Sequence, residues 1–395
     1  MAPSFQSPER RLSSSARAAS VLGSAAAVAL FGAGALTVPR QVSRPSYGNV
    51  AEGWAFAAQP HWRRSGLSSS SGRSKPGVGR AAVPEPGTPP LSERTFLITG
   101  GTSGIGKTVA KRLAQAGATV LVHGKQERLV KHVLKEIATD AQKDQTQQAK
   151  AEGYVADLSL LGEVHDLAEM VAEEHPVIHG ILHNAASMDG NYQGKRLVTK
   201  DGHEHTMAVN VLAPFLLTAR LQEALLAAPQ SRVVFTGSET LYSDALHDLN
   251  FQESPWTGMK AYGLSKLCGI MLALEMHARF GHAPRQTFHA IHPGRWATKL
   301  AKHAACFATG KRKYRRWTAF HRQGLLPDAR FASRSYEALT SDEFQHSSGL
   351  CDIDCPPEAM DSQARKRLWD SLVELTGAEW PVLEEEILDC VECAT

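Results

Sequence analysis

Along this chain of 395 residues, short runs of consecutive apolar residues alternate with longer stretches in which apolar positions recur every three or four residues. The short runs fall at residues 95–99, 119–123, 153–156, 180–183, 232–236 and 287–292, with a seventh at 348–353. They lack the in-and-out alternation of a half-exposed strand, so the pattern predicts strands covered on both faces. The longer stretches, 107–116, 127–147, 161–174, 204–228 and 263–280, are each long enough to cross back over a sheet. Repetition of strand, crossover and strand predicts an α/β fold: a single Rossmann-type, doubly wound, mostly seven-stranded parallel sheet with helices on both faces. In such sheets ligands bind beyond the carboxyl ends of the strands.

The pattern begins only near residue 91. Residues 1–90 hold ten Lys/Arg against three Glu and no Asp, whereas 91–395 hold 33 basic and 37 acidic residues, so the net charge of +3 conceals a basic leader. That division predicts a leader over 1–90, one catalytic domain over 91–380 and a C-terminal tail over 381–395. In the leader, Arg10, Arg11 and Arg17 precede an uncharged stretch, 18–39, laid out like a signal segment; residues 40–90 are rich in Arg and Ser and poor in acids, like a transit peptide. This two-part order resembles plastid targeting in algae with secondary plastids, with Ala55-Phe56-Ala57-Ala58 suiting a processing boundary. Three other readings stand beside it: a membrane anchor retained through 18–39, a mitochondrial presequence, and a tail with no address.

All six cysteines follow the leader. Cys351-x3-Cys355 and Cys390-x2-Cys393 have the spacing of thiolate pairs, but no zinc-site hallmark lies between them, and the reading taken is unligated thiols with no metal. Redox sensing by the terminal pair is the next reading. Residues 299–347 have weak periodicity and are expected to form a flap over the substrate. Their run Lys311-Arg312-Lys313-Tyr314-Arg315-Arg316-Trp317 is read as a solvated face, with a grip on an anionic substrate or a membrane surface as the alternative.

The chemistry lies in two segments. Thr99-Gly100-Gly101-Thr102-Ser103-Gly104-Ile105-Gly106 joins the first expected strand to the first expected helix, where glycines let backbone approach a dinucleotide pyrophosphate. Tyr262-Gly263-Leu264-Ser265-Lys266 places a phenol and an ammonium four residues apart, on one helix face. A free phenol titrates near 10; a neighbouring cation favours its ionised form. Ser238, after the fifth strand, is placed to bond a substrate oxygen, and Asn210 to hold a water that relays protons to Lys266. At the end of the second strand Gly124 stands where a carboxylate would select NAD, and Lys125 follows it, which predicts NADP(H).

These residues resemble the short-chain dehydrogenase/reductase family over about residues 94–378. Asn210, Ser238, Tyr262 and Lys266 match its catalytic tetrad in order. The resemblance implies cofactor contacts from Gly100, Thr102, Ser103, Gly104, Ile105 and Gly106, from Lys125, from Asp157 and Leu158, from Asn184 and Ala185, from Tyr262 and Lys266, and from Pro293, Gly294 and Thr298. Two departures occur: His183 and Ala186 replace Asn and Gly in the family's Asn-Asn-Ala-Gly signature. Asp248-Leu249-Asn250-Phe251, 259–268 and 367–377 are most similar to the retinol dehydrogenase branch. The implied activity is hydride transfer between NADP(H) and a small-molecule carbonyl or alcohol, lipophilic in kind, retinal-like or isoprenoid. A protochlorophyllide reductase-like plastid enzyme and a non-catalytic NADP-binding sensor or scaffold are the alternatives. No nucleic-acid partner is expected; membrane association through the leader and a homo-oligomer are.

Overall fold

The computed structural model describes residues 88–143, 149–188, 195–281, 285–293, 328–345, 347–349 and 355–381. Six parallel strands run through the centre: β1 (Thr95–Ile98), β2 (Thr119–Gly124), β3 (Ala151–Val155), β4 (Gly180–His183), β5 (Ser231–Thr236) and β6 (Gln286–Ile291). Their order is β3-β2-β1-β4-β5-β6, which reverses direction of travel at β1. At such a switch point the loops after β1 and β4 diverge and leave a crevice. Of the seventh strand expected at 348–353, Ser348 and Gly349 form a turn beside β6, with Gly349 N–H donating to the Phe288 carbonyl at 2.9 Å; residues 350–353 lie outside the described residues.

The helices are α1 (Gly104–Gln115), α2 (Glu127–Lys143), α3 (Leu161–Glu174), α4 (His205–Met207), α5 (Ala213–Arg220), α6 (Gln222–Ala227), α7 (Gly258–Phe280), α8 (Asp328–Thr340), α9 (Pro357–Met360) and α10 (Ser362–Thr376). Ile105, Val109, Ala110, Leu113 and Ala114 make one stripe on α1 and bury it on the sheet face shared with α2 and α8. The opposite face is covered by α3, α5 and α7, and α10 lays Trp369 and Leu372 over α7. Sandwiched on both sides, α7 is apolar almost all round, which is why Lys266 and Glu275 lie buried on it. Glu275 is held by Arg279 at 2.9 Å and Arg365 at 3.3 Å. At its start Thr257 accepts the Lys260 N–H, and α10 stops at Gly377, whose φ of +61° suits a residue without Cβ.

Three expectations need amending. β3 is an edge strand, and Glu152, Gly153 and Val155 are exposed, so it is not covered on both faces as the other runs are. The single helix expected over 204–228 is broken: α4 passes into a π turn, Ala208–Leu212, before α5, and α5 ends at Leu221 before α6 begins. The expected flap, where described, holds α8, which packs Ala332, Ala338 and Leu339 into the core against α1; residues 299–327, with the basic run, lie outside the described residues. Arg232 on β5 caps α8, donating to the carbonyls of Ala338 at 3.3 Å and Ser341 at 2.6 Å. Among the described residues no helix is long and apolar enough to cross a membrane.

Candidate active site

The glycine loop leaves β1 and turns into α1. Gly100 and Gly104 adopt φ of +63° and +56°, which side chains rarely take, and a Cβ at Gly106 would stand 2.5 Å from Asn184 Nδ2 and 2.6 Å from the Gly100 carbonyl. Ser103 sits at the N-cap of α1 without a capping bond from its side chain. The N–H groups at the start of α1 therefore point into the crevice with no helical partner, beside open space at Gly104. A pyrophosphate fits such a cradle, because the amides and the positive end of the helix both favour an anion.

Thr99, which closes β1, braces the loop from behind. Its hydroxyl accepts the N–H groups of Asn184 at 3.0 Å and Ala185 at 3.1 Å and donates to the Leu182 carbonyl at 3.2 Å. Asn184 Nδ2 returns two bonds, to the carbonyls of Thr99 at 3.2 Å and Gly100 at 3.3 Å. The loops after β1 and β4 are thus cross-braced, which assigns Asn184 a supporting role seen directly in the geometry. His183, where the family has Asn, turns into the core: its Nε2 meets the Thr218 hydroxyl at 2.8 Å and its ring lies 5.0 Å from that of Phe235. Burial alone lowers its pKa to about 3, so it is a neutral packing group.

At the other end of the crevice, β2 and β3 finish side by side. Lys125 pairs with Asp157 at 2.7 Å, and Asp157 also accepts the Ser159 N–H at 3.1 Å and hydroxyl at 2.8 Å. Burial raises the Asp157 pKa, but these bonds together outweigh it and hold the carboxyl below its usual range. Leu158 is buried in the core. A Cβ at Gly124 would come within 2.4 Å of Thr102 Cγ2, so strand end and glycine loop are in direct contact there.

The four residues expected to be catalytic converge beyond the end of β5 and near the start of α7. Ser238 accepts the Thr240 N–H at 3.1 Å, which leaves its own hydrogen free to face the Tyr262 phenol. Burial raises the Tyr262 pKa and the Ser238 bond opposes that rise. Lys266 Nζ donates to the Thr236 carbonyl at 2.7 Å and lies 5.5 Å from the centre of the Tyr262 ring; burial lowers its pKa to about 8. Asn210 sits in the π turn. Its Oδ1 accepts the Ser187 N–H at 2.7 Å, and its Nδ2 donates to the Ser187 carbonyl at 2.9 Å and to Ser265 Oγ at 2.9 Å. Ser265 passes its proton to the Tyr262 carbonyl at 2.7 Å. The Asn210 side chain is therefore engaged in tying β4's loop to α7.

The structure thus brings all four expected catalytic residues to one end of the sheet, with the glycine loop beside them. Pro293 is described, directly after β6; Gly294 and Thr298 lie outside the described residues, as do Cys306, Cys351, Cys390 and Cys393. Cys268 and Cys355 are free thiols. Sequence reasoning missed Thr99, His123, Ser187 and Ser265, polar residues whose partners come from distant parts of the chain; the only advance signal was a polar residue closing an apolar run.

Comparison with known proteins agrees with this geometry. The model of the short chain dehydrogenase family matches residues 94–306, more than half of the chain. DnrU from Streptomyces sp. (strain C5), provisionally named a daunorubicin C-13 ketoreductase, is 30% identical over 302 residues, 75% of this chain and 97% of its own. Human retinol dehydrogenase 12 is 29% identical over 311 residues, 77% of this chain and 91% of its own. A protein from Mycobacterium paratuberculosis of known crystal structure superposes with a TM-score of 0.56 at 25% identity, covering 75% of this chain and 97% of its own. With a six-stranded parallel sheet, a glycine loop opening α1 and matches of this extent, the chain belongs to the short-chain dehydrogenase family and is an oxidoreductase acting on alcohols or carbonyls.

Proposed function

We propose that the protein is an NADP(H)-dependent reductase of lipophilic carbonyl compounds, or the matching alcohol dehydrogenase, with Asn210, Ser238, Tyr262 and Lys266 as its working tetrad. The observation that carries the reading is the placement of buried Lys266 one turn along α7 from Tyr262, its Nζ 5.5 Å from the centre of the Tyr262 ring, with Ser238 facing that phenol from just beyond β5. With Ser238 donating to the phenolic oxygen, the Tyr262 O–H is left to point at a substrate oxygen, which it protonates as negative charge develops there. When bound, the reduced nicotinamide supplies the hydride. With the cofactor bound, Lys266 would hold its ribose and stay beside the phenolate, and Asn210 would support proton return to the ammonium.

Preference for NADP(H) is supported by Lys125 at the adenosine end and by Gly124, which offers no carboxylate to repel a 2′-phosphate. Lipophilic substrate is supported by Leu241 and Tyr242, which pack on Gly263 beside Tyr262, and by the name of the relative retinol dehydrogenase 12. We extend the proposal to location: the basic leader directs the chain to a plastid, which a fluorescent fusion of residues 1–90 tests. The activity is tested by following NADPH and NADH oxidation by the purified protein with retinal, isoprenoid aldehydes and small ketones. Faster turnover with NADPH and a long-chain aldehyde supports the reading; turnover confined to NADH or to small polar ketones overturns it.

A further inference from the structure

His123, at the carboxyl end of β2, is joined to both loops that face the adenosine half of a dinucleotide. Its Nδ1 lies 3.4 Å from the Gly100 N–H, its own carbonyl accepts the Gly101 N–H at 2.9 Å, and its Nε2 reaches the Ala156 carbonyl, next to Asp157, at 3.1 Å. The partners settle the tautomer. A backbone N–H only donates and a carbonyl only accepts, so Nδ1 carries the lone pair and Nε2 the proton. The ring is 2% exposed, and burial keeps it neutral against the opposing effects of the Ala156 bond and of Asp157.

We propose that His123 is a positioning residue for the cofactor: its neutral imidazole ties the glycine loop to the loop after β3, and so sets the distance between the pyrophosphate cradle and the adenosine-ribose site. The proposal rests on the nicotinamide dinucleotide reading and adds a residue to it. Two consecutive glycine-loop amides, Gly100 and Gly101, are consumed by His123, which leaves the amides at the start of α1 as the anion donors. Gly124 and Lys125 follow His123 directly, so the same ring also fixes the base from which the Lys125 ammonium reaches Asp157. Asp157, the charged group that acts on the ring, is paired with Lys125. A core histidine serving only to fill space has no need of one ring bond to each of these two loops.

The test uses the full chain in wild-type form and as His123→Phe, which keeps a flat ring without nitrogens, and His123→Gln, which keeps a donor toward Ala156. Calorimetric titration with NADPH and NADH, thermal unfolding without cofactor, and nitrogen-15 NMR of the histidine rings are measured together. Loss of a neutral hydrogen bond in the brace is expected to weaken dinucleotide binding about tenfold in His123→Phe, with partial recovery in His123→Gln. The limiting kcat at saturating cofactor is expected to stay within about twofold, because no group touching the substrate has changed. Wild-type protein is expected to show one Nε2-protonated neutral ring whose Nδ1 signal moves when NADPH is added. A folded His123→Phe protein that binds NADPH as wild type does, or a wild-type Nδ1 signal unmoved by bound NADPH, overturns the proposal; the second reading serves if the variants do not fold. Wild-type protein that binds neither dinucleotide overturns the cofactor reading instead.

Discussion

Lys125 and Asp157 form a 2.7 Å ion pair across the neighbouring ends of β2 and β3, in the place where the adenosine ribose of a dinucleotide would lie. Lys125 is more than half exposed, so the pair itself adds little stability. On the proposed NADP(H) reading its worth is in recognition, since a 2′-phosphate offers the ammonium a stronger partner than a carboxylate already shared with Ser159. Lys125→Ala is expected to weaken NADPH binding by about tenfold to a hundredfold, the value of one charge-assisted hydrogen bond, with NADH affected far less. Equal losses for both cofactors, measured by titration, would show that the lysine does not read the phosphate.

The cradle makes a contrast between two glycines. In Gly106→Ala the new methyl meets the Gly100 carbonyl and the Asn184 amide, and neither can retreat without opening the brace between the loops after β1 and β4. Overpacking of this kind costs about 1–3 kcal/mol, and cofactor binding is expected to be lost with it. In Gly104→Ala the methyl meets open space and only the positive φ is penalised, by about 1–2 kcal/mol, so binding is expected to survive in weakened form. Urea unfolding and NADPH titration of the two variants separate these outcomes.

Tyr262→Phe removes the proposed proton donor and leaves the packing of α7 intact. Turnover is expected to fall by about 10²–10⁴, the usual contribution of a positioned acid, while cofactor affinity changes little. Ser238→Ala removes the hydroxyl that faces the phenol and opposes the rise of its pKa, and is expected to lower kcat as well. A Tyr262→Phe protein with near-normal kcat would remove the tetrad from the mechanism.

Lys266 makes stability and activity respond oppositely to alkali. Its pKa falls on folding from 10.5 to about 8 through burial, so between those values the unfolded chain binds a proton that the folded, cofactor-free chain does not. Stability from this group is therefore expected to rise with pH across that window. The protonated side chain needed for turnover is meanwhile lost, so kcat/KM is expected to decline above about pH 8, the folded value. Urea midpoints and kcat/KM measured over the same pH range test both limbs, and Lys266→Met is expected to abolish the rise in stability.

The parts of the site that could be read in advance are those with short-range signatures. Gly100, Gly104 and Gly106 stand at fixed spacings because one turn needs them, and Tyr262 and Lys266 share a helix face because four residues make about one turn. The tetrad's other members, Asn210 and Ser238, were placed by family order and are found on the same end of the sheet. What sequence did not reveal depends on partners far along the chain. Thr99 looked like the last residue of a strand, yet its hydroxyl serves residues more than eighty positions away. The exposure of β3 follows from its place at the sheet edge, which its own five residues do not encode. The break within 204–228 has a local trace in Pro214, but the apolar periodicity continues through it and masks the π turn. His183 departs from the family signature and could be mistaken for a lost function; in the fold it is a neutral ring packed between Thr218 and Phe235.

The contact between Gly124 and Thr102 restricts how this chain can change its cofactor. An acid introduced at 124 would have its Cβ 2.4 Å from Thr102 Cγ2 and 3.1 Å from Val130 Cγ2 before its carboxylate reached any ribose. A single step toward NAD at that position therefore damages the glycine loop before it can confer a new preference. A path to NAD at this position is eased by shrinking residue 102 first, and the order of the two steps decides how well the intermediate works. If the proposed NADP(H) preference holds, it is kept in place by epistasis between a strand end and a loop as well as by the charge of Lys125.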